Sequence, residues 1–415
     1  MNMESLKKTV WKQYAGFFAA AILMGLSVPR AQAIGFLIPN QDAAAIARGN
    51  AFVATADNPS AIYYNPAGIT QIPGTDFQFG DLNYLGLNMR YIPAGGGQST
   101  HTRFEVIPVP QVYLTKEITG TPLTAGIGVY APFGLGVKWP EPAPTRDFAL
   151  ESKLTYITVN PVLAWKILPS LSIAAGPTFN YGQIKFTRGL SPVSTTDYFR
   201  FIGDDFSYGM TAGILWHPVE KWSFGASYRM QSTMNFSGHS SYTSVEGVGG
   251  GAYVPTTASV PFPTIISGGV SFRPTPKWNI EVDVDYINWD TLNTVTLKGT
   301  KPVFGIDLPL QLDWHDSWQY KIGVTRSFEG GWYVSAGYFF TTDTSSNNHF
   351  TPGVPDTDLH VPSVGFGRNC DHWHWAVAAQ LIVGPQRVIT SSDSAPPGKY
   401  QLISPTLSFS VGYKF

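Results

Sequence analysis

The last nine residues, Leu407-Ser408-Phe409-Ser410-Val411-Gly412-Tyr413-Lys414-Phe415, decide the fold. Leu407, Phe409, Val411, Tyr413 and Phe415 occupy every odd position, and Ser408, Ser410, Gly412 and Lys414 lie between them. Successive side chains of a β-strand point to opposite faces, so this period of two describes a strand standing between two different environments.

The same alternation recurs upstream. Trp278, Ile280, Val282, Val284 and Tyr286 share one face, while Asn279, Glu281, Asp283 and Asp285 share the other. Trp318, Tyr320, Ile322 and Val324 alternate with Gln319, Lys321, Gly323 and Thr325, and Trp332 to Phe340 repeats the scheme. A soluble barrel turns its apolar face inward. Here the apolar face carries aromatics at the strand ends and the other face carries charges, which is the lipid-out, water-in arrangement of a transmembrane β-barrel.

The fold class is therefore all-β: an antiparallel barrel of about fourteen strands. They are expected near 76–91, 105–118, 123–131, 153–166, 171–185, 206–216, 222–236, 264–273, 278–297, 318–328, 332–341, 361–368, 373–383 and 406–415. A terminal Phe after such a strand resembles the C-terminal signature of outer-membrane barrels.

Connections alternate between short turns (Gly120-Thr121-Pro122, Leu168-Pro169-Ser170, Pro218 to Lys221, Pro274 to Lys277, Glu329 to Gly331, Asn369 to His372) and long Gly- and Pro-rich loops. Four short turns run into Trp222, Trp278, Trp332 and Trp373, which an aromatic belt at one membrane interface explains.

The amino terminus reads as an export signal over residues 1–33. Lys7, Lys8 and Lys12 precede the apolar run Ala15–Val28, and Ala31-Gln32-Ala33 fits a cleavage site. That run is shorter than the roughly 20 residues of a spanning helix. Cys370 is the single cysteine, so an exported chain of this size must hold together without an intramolecular disulfide. Only 13% of residues are charged and the net charge is -1, which argues against a nucleic-acid partner.

Residues 34–75 break the strand pattern. Asp42–Ala56 is small and Ala-rich, with helical propensity, and Asn58-Pro59 and Asn65-Pro66-Ala67-Gly68 are turn signals. Such a segment preceding a barrel (76–415) reads as an N-terminal plug, or hatch, within its lumen.

At this point the chain resembles the long-chain fatty acid transporters of the FadL type and their aromatic-hydrocarbon relatives (OMPP1/FadL/TodX). The resemblance is carried by Gly35-Phe36, Arg48-Gly49, Tyr64 to Gly68, Ala131 to Gly136, Trp278 to Trp289 and Trp318 to Phe340. It implies a fourteen-stranded barrel with a hatch, in the outer membrane of a Gram-negative bacterium. It also implies passive uptake of hydrophobic compounds, fatty acids ahead of aromatic hydrocarbons, with lateral release where the third strand is kinked. On it rest three groups of site residues: Ile34, Gly35 and Phe36 for ligand binding; Asn65, Pro66, Ala67 and Gly68 for hatch gating; and Pro132, Phe133 and Gly134 for the lateral opening. Pro132 can equally begin a loop, because proline is confined to edges, bulges and strand ends.

Other chemistry is weaker. Glu281, Asp283 and Asp285 could form a catalytic pair, but a charge network facing plug or water is the better reading. Cys370, His372 and His374 have ligand chemistry yet flank a short turn, and no nucleotide-binding or metalloprotease motif appears. His217, His239 and His315 show no partner pattern for a lipase-like enzyme. The chain is read as a non-enzyme without cofactor or metal, a monomer whose partners are a hydrophobic small molecule and outer-membrane lipid.

Overall fold

The computed structural model describes residues 35–85, 88–190, 196–243 and 253–415. The export segment and Ile34 lie outside them.

Fourteen antiparallel staves form one closed sheet. In chain order they are β1 (Thr75–Leu85, continued as Asn88–Pro93), β2 (Val106–Glu117), β3 (Leu123–Tyr130 and Gly134–Lys138), β4 (Glu151–Leu168), β5 (Leu171–Arg188), β6 (Tyr198–Val219) and β7 (Trp222–Arg229 and Ser232–Thr243). The circuit continues with β8 (Tyr253–Phe262 and Ile265–Phe272), β9 (Trp278–Ile287), β10 (Ser317–Ser327), β11 (Trp332–Thr341), β12 (Leu359–Asn369), β13 (Trp373–Ile389) and β14 (Gly398–Lys414). The terminal strand closes the barrel, with Phe77 opposite Tyr413 and Phe79 opposite Val411. Closure leaves no free edge at that seam, which a sheet in lipid requires because no water is there to satisfy backbone groups.

The outer face is greasy. Trp222, Trp278, Trp332 and Trp373 all stand exposed at the short-turn end. Arg326 stacks on Trp278 and Arg368 on Trp332, each at 5.2 Å, so cationic heads lie beside aromatic rings at the interface. Inward positions of the wall are buried and polar: Gln78, Asn160, Glu281, Asp283, Asp285, Gln319 and Lys321.

Several sequence expectations need correction, among them the terminal strand, which begins at Gly398 rather than 406. The segment read as 278–297 ends at Ile287; Thr294–Leu297 instead pairs with Leu308–Gln311 inside the following loop. The β6 and β8 staves are longer than read, beginning at Tyr198 and Tyr253. Their upper halves carry apolar residues inward, for example Phe199 and Phe201 on β6 and Ala258, Val260 and Phe262 on β8. A lipid-out template is blind to that phase.

Residues 35–74 fold inside the wall. Helix α1 (Ala43–Ala47) is capped by Asp42, whose carboxylate accepts from Ala45 N, and helix α2 (Ala61–Tyr64) leads into the 3-10 turn Pro66–Gln71. Both helices are too short to be stable alone. They persist because α1 packs on β11–β14 and the 3-10 turn on β3–β6.

Candidate functional site

The hatch is held by the acidic face of β9. Glu281 Oε1 accepts from Ala54 N at 2.7 Å and from Thr55 N at 3.2 Å, and its Oε2 pairs with Arg48 at 3.2 Å and accepts from the Thr55 hydroxyl. Asp283 Oδ2 accepts from Phe52 N and Val53 N at 2.7 and 2.9 Å. Asp285 pairs with Lys321 on β10. A loop threaded through a lumen has backbone donors with no ladder, and these carboxylates satisfy four of them. Glu281 and Asp283 therefore serve as anchors for the hatch, while Asp285 pairs within the wall.

The wall makes room at inward glycines. A Cβ on Gly225 would strike the Val53 backbone, and one on Gly337 would strike Arg48 and Gly49. On the opposite side His374 Nε2 lies 2.9 Å from Asp76 Oδ1, while Gln78 Nε2 donates to Asp42 Oδ1 at 2.7 Å.

Asn65 caps the 3-10 turn by accepting from Ala67 N, and its Nδ2 donates to Val53 O at 2.8 Å and to Ile214 O of β6 at 3.0 Å. Pro66 occupies the first turn, where a missing N–H costs nothing. Gly68 lies against Ala56 too closely for any side chain. Asn65, Pro66, Ala67 and Gly68 thus form the joint between hatch and wall.

The third stave is interrupted between Tyr130 and Gly134. Ala131, Pro132 and Phe133 turn inward and pair with the hatch. Ile38 N donates to Pro132 O at 2.8 Å, Gly134 N donates to Phe36 O at 2.7 Å, and Leu37 faces Phe133 as an isolated antiparallel bridge. Gln41 Nε2 adds a bond to Ala131 O. Above the break, Gly134–Lys138 forms its ladder with β4, the β2–β3 ladder spans only residues 112–117 against 124–129, and Arg103 N donates to Lys138 O at the top. The wall is unladdered there, beside residues 106–111 of β2.

A feature of β2 suits an unladdered edge. Pro108 and Pro110 face Asn83 and Asp81 of β1. Proline lacks N–H and cannot form a hydrogen-bonded antiparallel pair, so these are non-bonded pairs toward β1. The donors missing at both positions would have faced β3, where nothing receives them. The P-x-P spacing on β2, which the sequence reading missed, is a signal that could have pointed to this break.

Gly35 and Phe36 stand at the head of the break. The Phe36 ring lies 5.1 Å from Trp314, 5.9 Å from Trp289 and 6.3 Å from Phe262. Phe133 lies 5.0 Å from Phe262 and 5.1 Å from Tyr156, completing an aromatic collar. Gly35 is left-handed at φ 51, and a Cβ would meet Trp314 at 2.7 Å.

Above the collar lies a cavity of about 210 Å³. Phe36, Leu135, Leu154, Phe201, Val260 and Leu292 supply apolar lining, with Lys153, Lys185 and Arg188 at its border. Long loops roof it. His349 Nε2 is 3.1 Å from Asp313 Oδ2 and its Nδ1 3.8 Å from Asp393, tying three loops together. Nearby, burial and the Asp356 carboxylate push the Asp343 carboxyl above the usual range, against the pull of Arg387 and His315. His315 Nε2 lies 3.5 Å from Asp343 Oδ1 in these loops.

Cys370, His372 and His374 go separate ways: Cys370 is exposed, His372 bonds to Lys414 O, and His374 faces Asp76.

A closed, lipid-facing barrel with an anchored hatch, an apolar cavity and a break in its wall defines a plugged outer-membrane channel. The profile of outer-membrane transport proteins of the OMPP1/FadL/TodX type matches residues 26–404, and the chain belongs to that family, whose cargo is hydrophobic compounds. It is an outer-membrane protein.

Among curated relatives, a long-chain fatty acid transport protein of Salmonella typhi is 21% identical over 435 residues, covering 96% of this chain and 97% of the relative. The chain spans less than half the length of two others it matches. One is an outer-membrane protein of Neisseria meningitidis, 29% identical with 34% of this chain and 29% of the relative covered. The other is a 47 kDa outer-membrane protein of Pasteurella multocida, 24% identical with 39% and 40% covered.

In solved structures the fold is shared with a Pseudomonas aeruginosa FadL homologue (TM-score 0.79, 17% identity, 92% of this chain and 100% of the other). It is also shared with the Pseudomonas putida toluene transporter TodX (TM-score 0.71, 15% identity, 93% and 100%).

Proposed function

We propose that this chain is a passive uptake channel that takes hydrophobic compounds from outside and releases them sideways into the outer membrane, with long-chain fatty acids as the favoured cargo. The observation that carries this reading is the meeting of three features at one place: the apolar cavity ends on Phe36, Phe36 pairs across to the β3 break, and the break opens the wall. Transfer into such a cavity is favoured by roughly 25 cal/mol for each Å² of apolar surface buried. A lateral exit spares the ligand a return to water.

Fatty acid leads because Arg188 borders the cavity and suits a carboxylate head, beside Lys153 and a Lys185 that is paired with Glu151. The aromatic collar supports a second cargo, monoaromatic hydrocarbon, since ring faces and edges pair without charge.

Gly35 and Phe36, together with Ile34, are proposed as the ligand-contacting N-terminal residues, Asn65 to Gly68 as the hatch joint, and Pro132 to Gly134 as the exit. A chain lacking residues 34–36 should fold, insert and lose most of its oleate uptake in vesicles or whole cells. Uptake of both oleate and toluene at the intact chain's rate by this variant would refute the reading.

A further inference from the structure

Several lumen-side cations are paired with acids: Arg48 with Glu281, Lys321 with Asp285, and Arg146 with Asp197. Arg229 differs. It ends the lower half of β7, opposite Thr211 and Ile265, and its side chain lies against Tyr63 of the hatch. Nη2 donates to Tyr63 O at 3.3 Å, and the guanidinium lies 4.5 Å from the Tyr63 ring and 5.6 Å from the Tyr130 ring. Among the described residues no carboxylate forms an ion pair with it.

Ring faces and one carbonyl hold a guanidinium in place without neutralising it. A cation enclosed by protein and lacking an acid is costly unless an anion visits it.

Its position is specific. Arg229 borders a small cavity lined from the hatch by Leu37, Pro39, Val53 and Pro66. Asp285 and Lys321 also border that cavity, but they pair with each other. Leu37 is the residue that bridges to Phe133, and Tyr130 is the last residue of β3 before its interruption. Arg229 therefore stands on the lumen side of the wall opening, one step below the aromatic collar.

We infer that Arg229 is a carboxylate-docking residue, which receives the head group of an anionic amphiphile after the tail has passed Phe36 and holds it while the tail leaves through the break. The planar guanidinium offers paired donors to a carboxylate and stays charged throughout. This inference rests on the lateral-channel reading above and assigns it a selectivity element: acids gain a station in the lumen that neutral hydrocarbons do not use.

The test compares the intact chain with Arg229→Gln and Arg229→Lys, each inserted in vesicles and checked for folding by its heat-dependent gel mobility. The probes are oleate, methyl oleate and toluene. For Arg229→Gln, oleate uptake is expected to fall at least tenfold, with methyl oleate and toluene unchanged; Arg229→Lys should recover part of the oleate rate. An equal fall for all three probes would assign Arg229 to packing of Tyr63 and Tyr130, and an unchanged oleate rate would remove it from the path; either overturns the inference. If the intact chain takes up none of the three, the channel reading itself fails, and this inference with it.

Discussion

Glu281 shows how much one side chain carries. Its two oxygens receive two hatch N–H groups, one hydroxyl and the Arg48 guanidinium, and none of it is exposed. Removing one member of a buried pair leaves the other charged and unpartnered, at a cost of about 3–5 kcal/mol. Glu281→Ala should therefore lower the unfolding midpoint in detergent and loosen the hatch. Cells carrying it should become leaky to small hydrophilic antibiotics. An unfolding curve and antibiotic sensitivity identical to the parent's would show that the hatch is held by other contacts. The alternating acids of β9 were legible in the sequence as a same-face set. Their occupation as acceptors for backbone N–H was not, because those donors lie 226 to 231 residues away and a backbone donor leaves no mark in composition.

At the scale of elements, the staves were legible wherever lipid and lumen impose opposite chemistry on alternate positions, as in β9, β10 and β14. The break in β3 was not, because its partner is the hatch strand and nothing local to Ala131–Gly134 distinguishes a loop start from an inward turn. The observed pairing makes the break testable. Leu37 and Phe133 are Cα partners flanked by the bonds Ile38 N to Pro132 O and Gly134 N to Phe36 O, which is the non-hydrogen-bonded antiparallel arrangement. Cα atoms in such pairs are about 4.5 Å apart, within disulfide range. Leu37→Cys with Phe133→Cys, in a Cys370→Ser background, should cross-link on oxidation. If ligand passes by parting these two segments, the oxidised protein stops transporting and a reductant restores the rate. Full transport by the cross-linked form would route the ligand elsewhere.

Across the whole molecule, stave length and face polarity together place the membrane. Staves β9 to β12 have 10 or 11 residues, close to the ~9–11 that cross a bilayer, whereas β5 has 18 and β6 has 22. The excess must project beyond the lipid. The chain marks the boundary itself. On β7 the outward residues are Trp222, Phe224, Ala226 and Tyr228 below the irregularity at Met230-Gln231, and Thr233, Asn235 and Ser237 above it. On β8 they are Ile266 and Val270 below Pro263-Thr264, and Thr257 and Ser259 above. An unpaired step shifts the phase by one, so a single stave faces lipid with its apolar side in its lower half and the ligand cavity with its apolar side in its upper half. A charge should therefore be costly on one outward position and harmless on another. Val282, 49% exposed at the middle of β9, lies within the hydrocarbon on this reading, and Val282→Arg should destabilise the folded barrel by about 2–4 kcal/mol in lipid vesicles. Ser237→Arg, also outward but above the irregularity, should change stability by less than about 0.5 kcal/mol, as surface substitutions generally do. Equal costs at the two positions would mean that lipid covers both, and the cavity would then have to open within the membrane rather than above it.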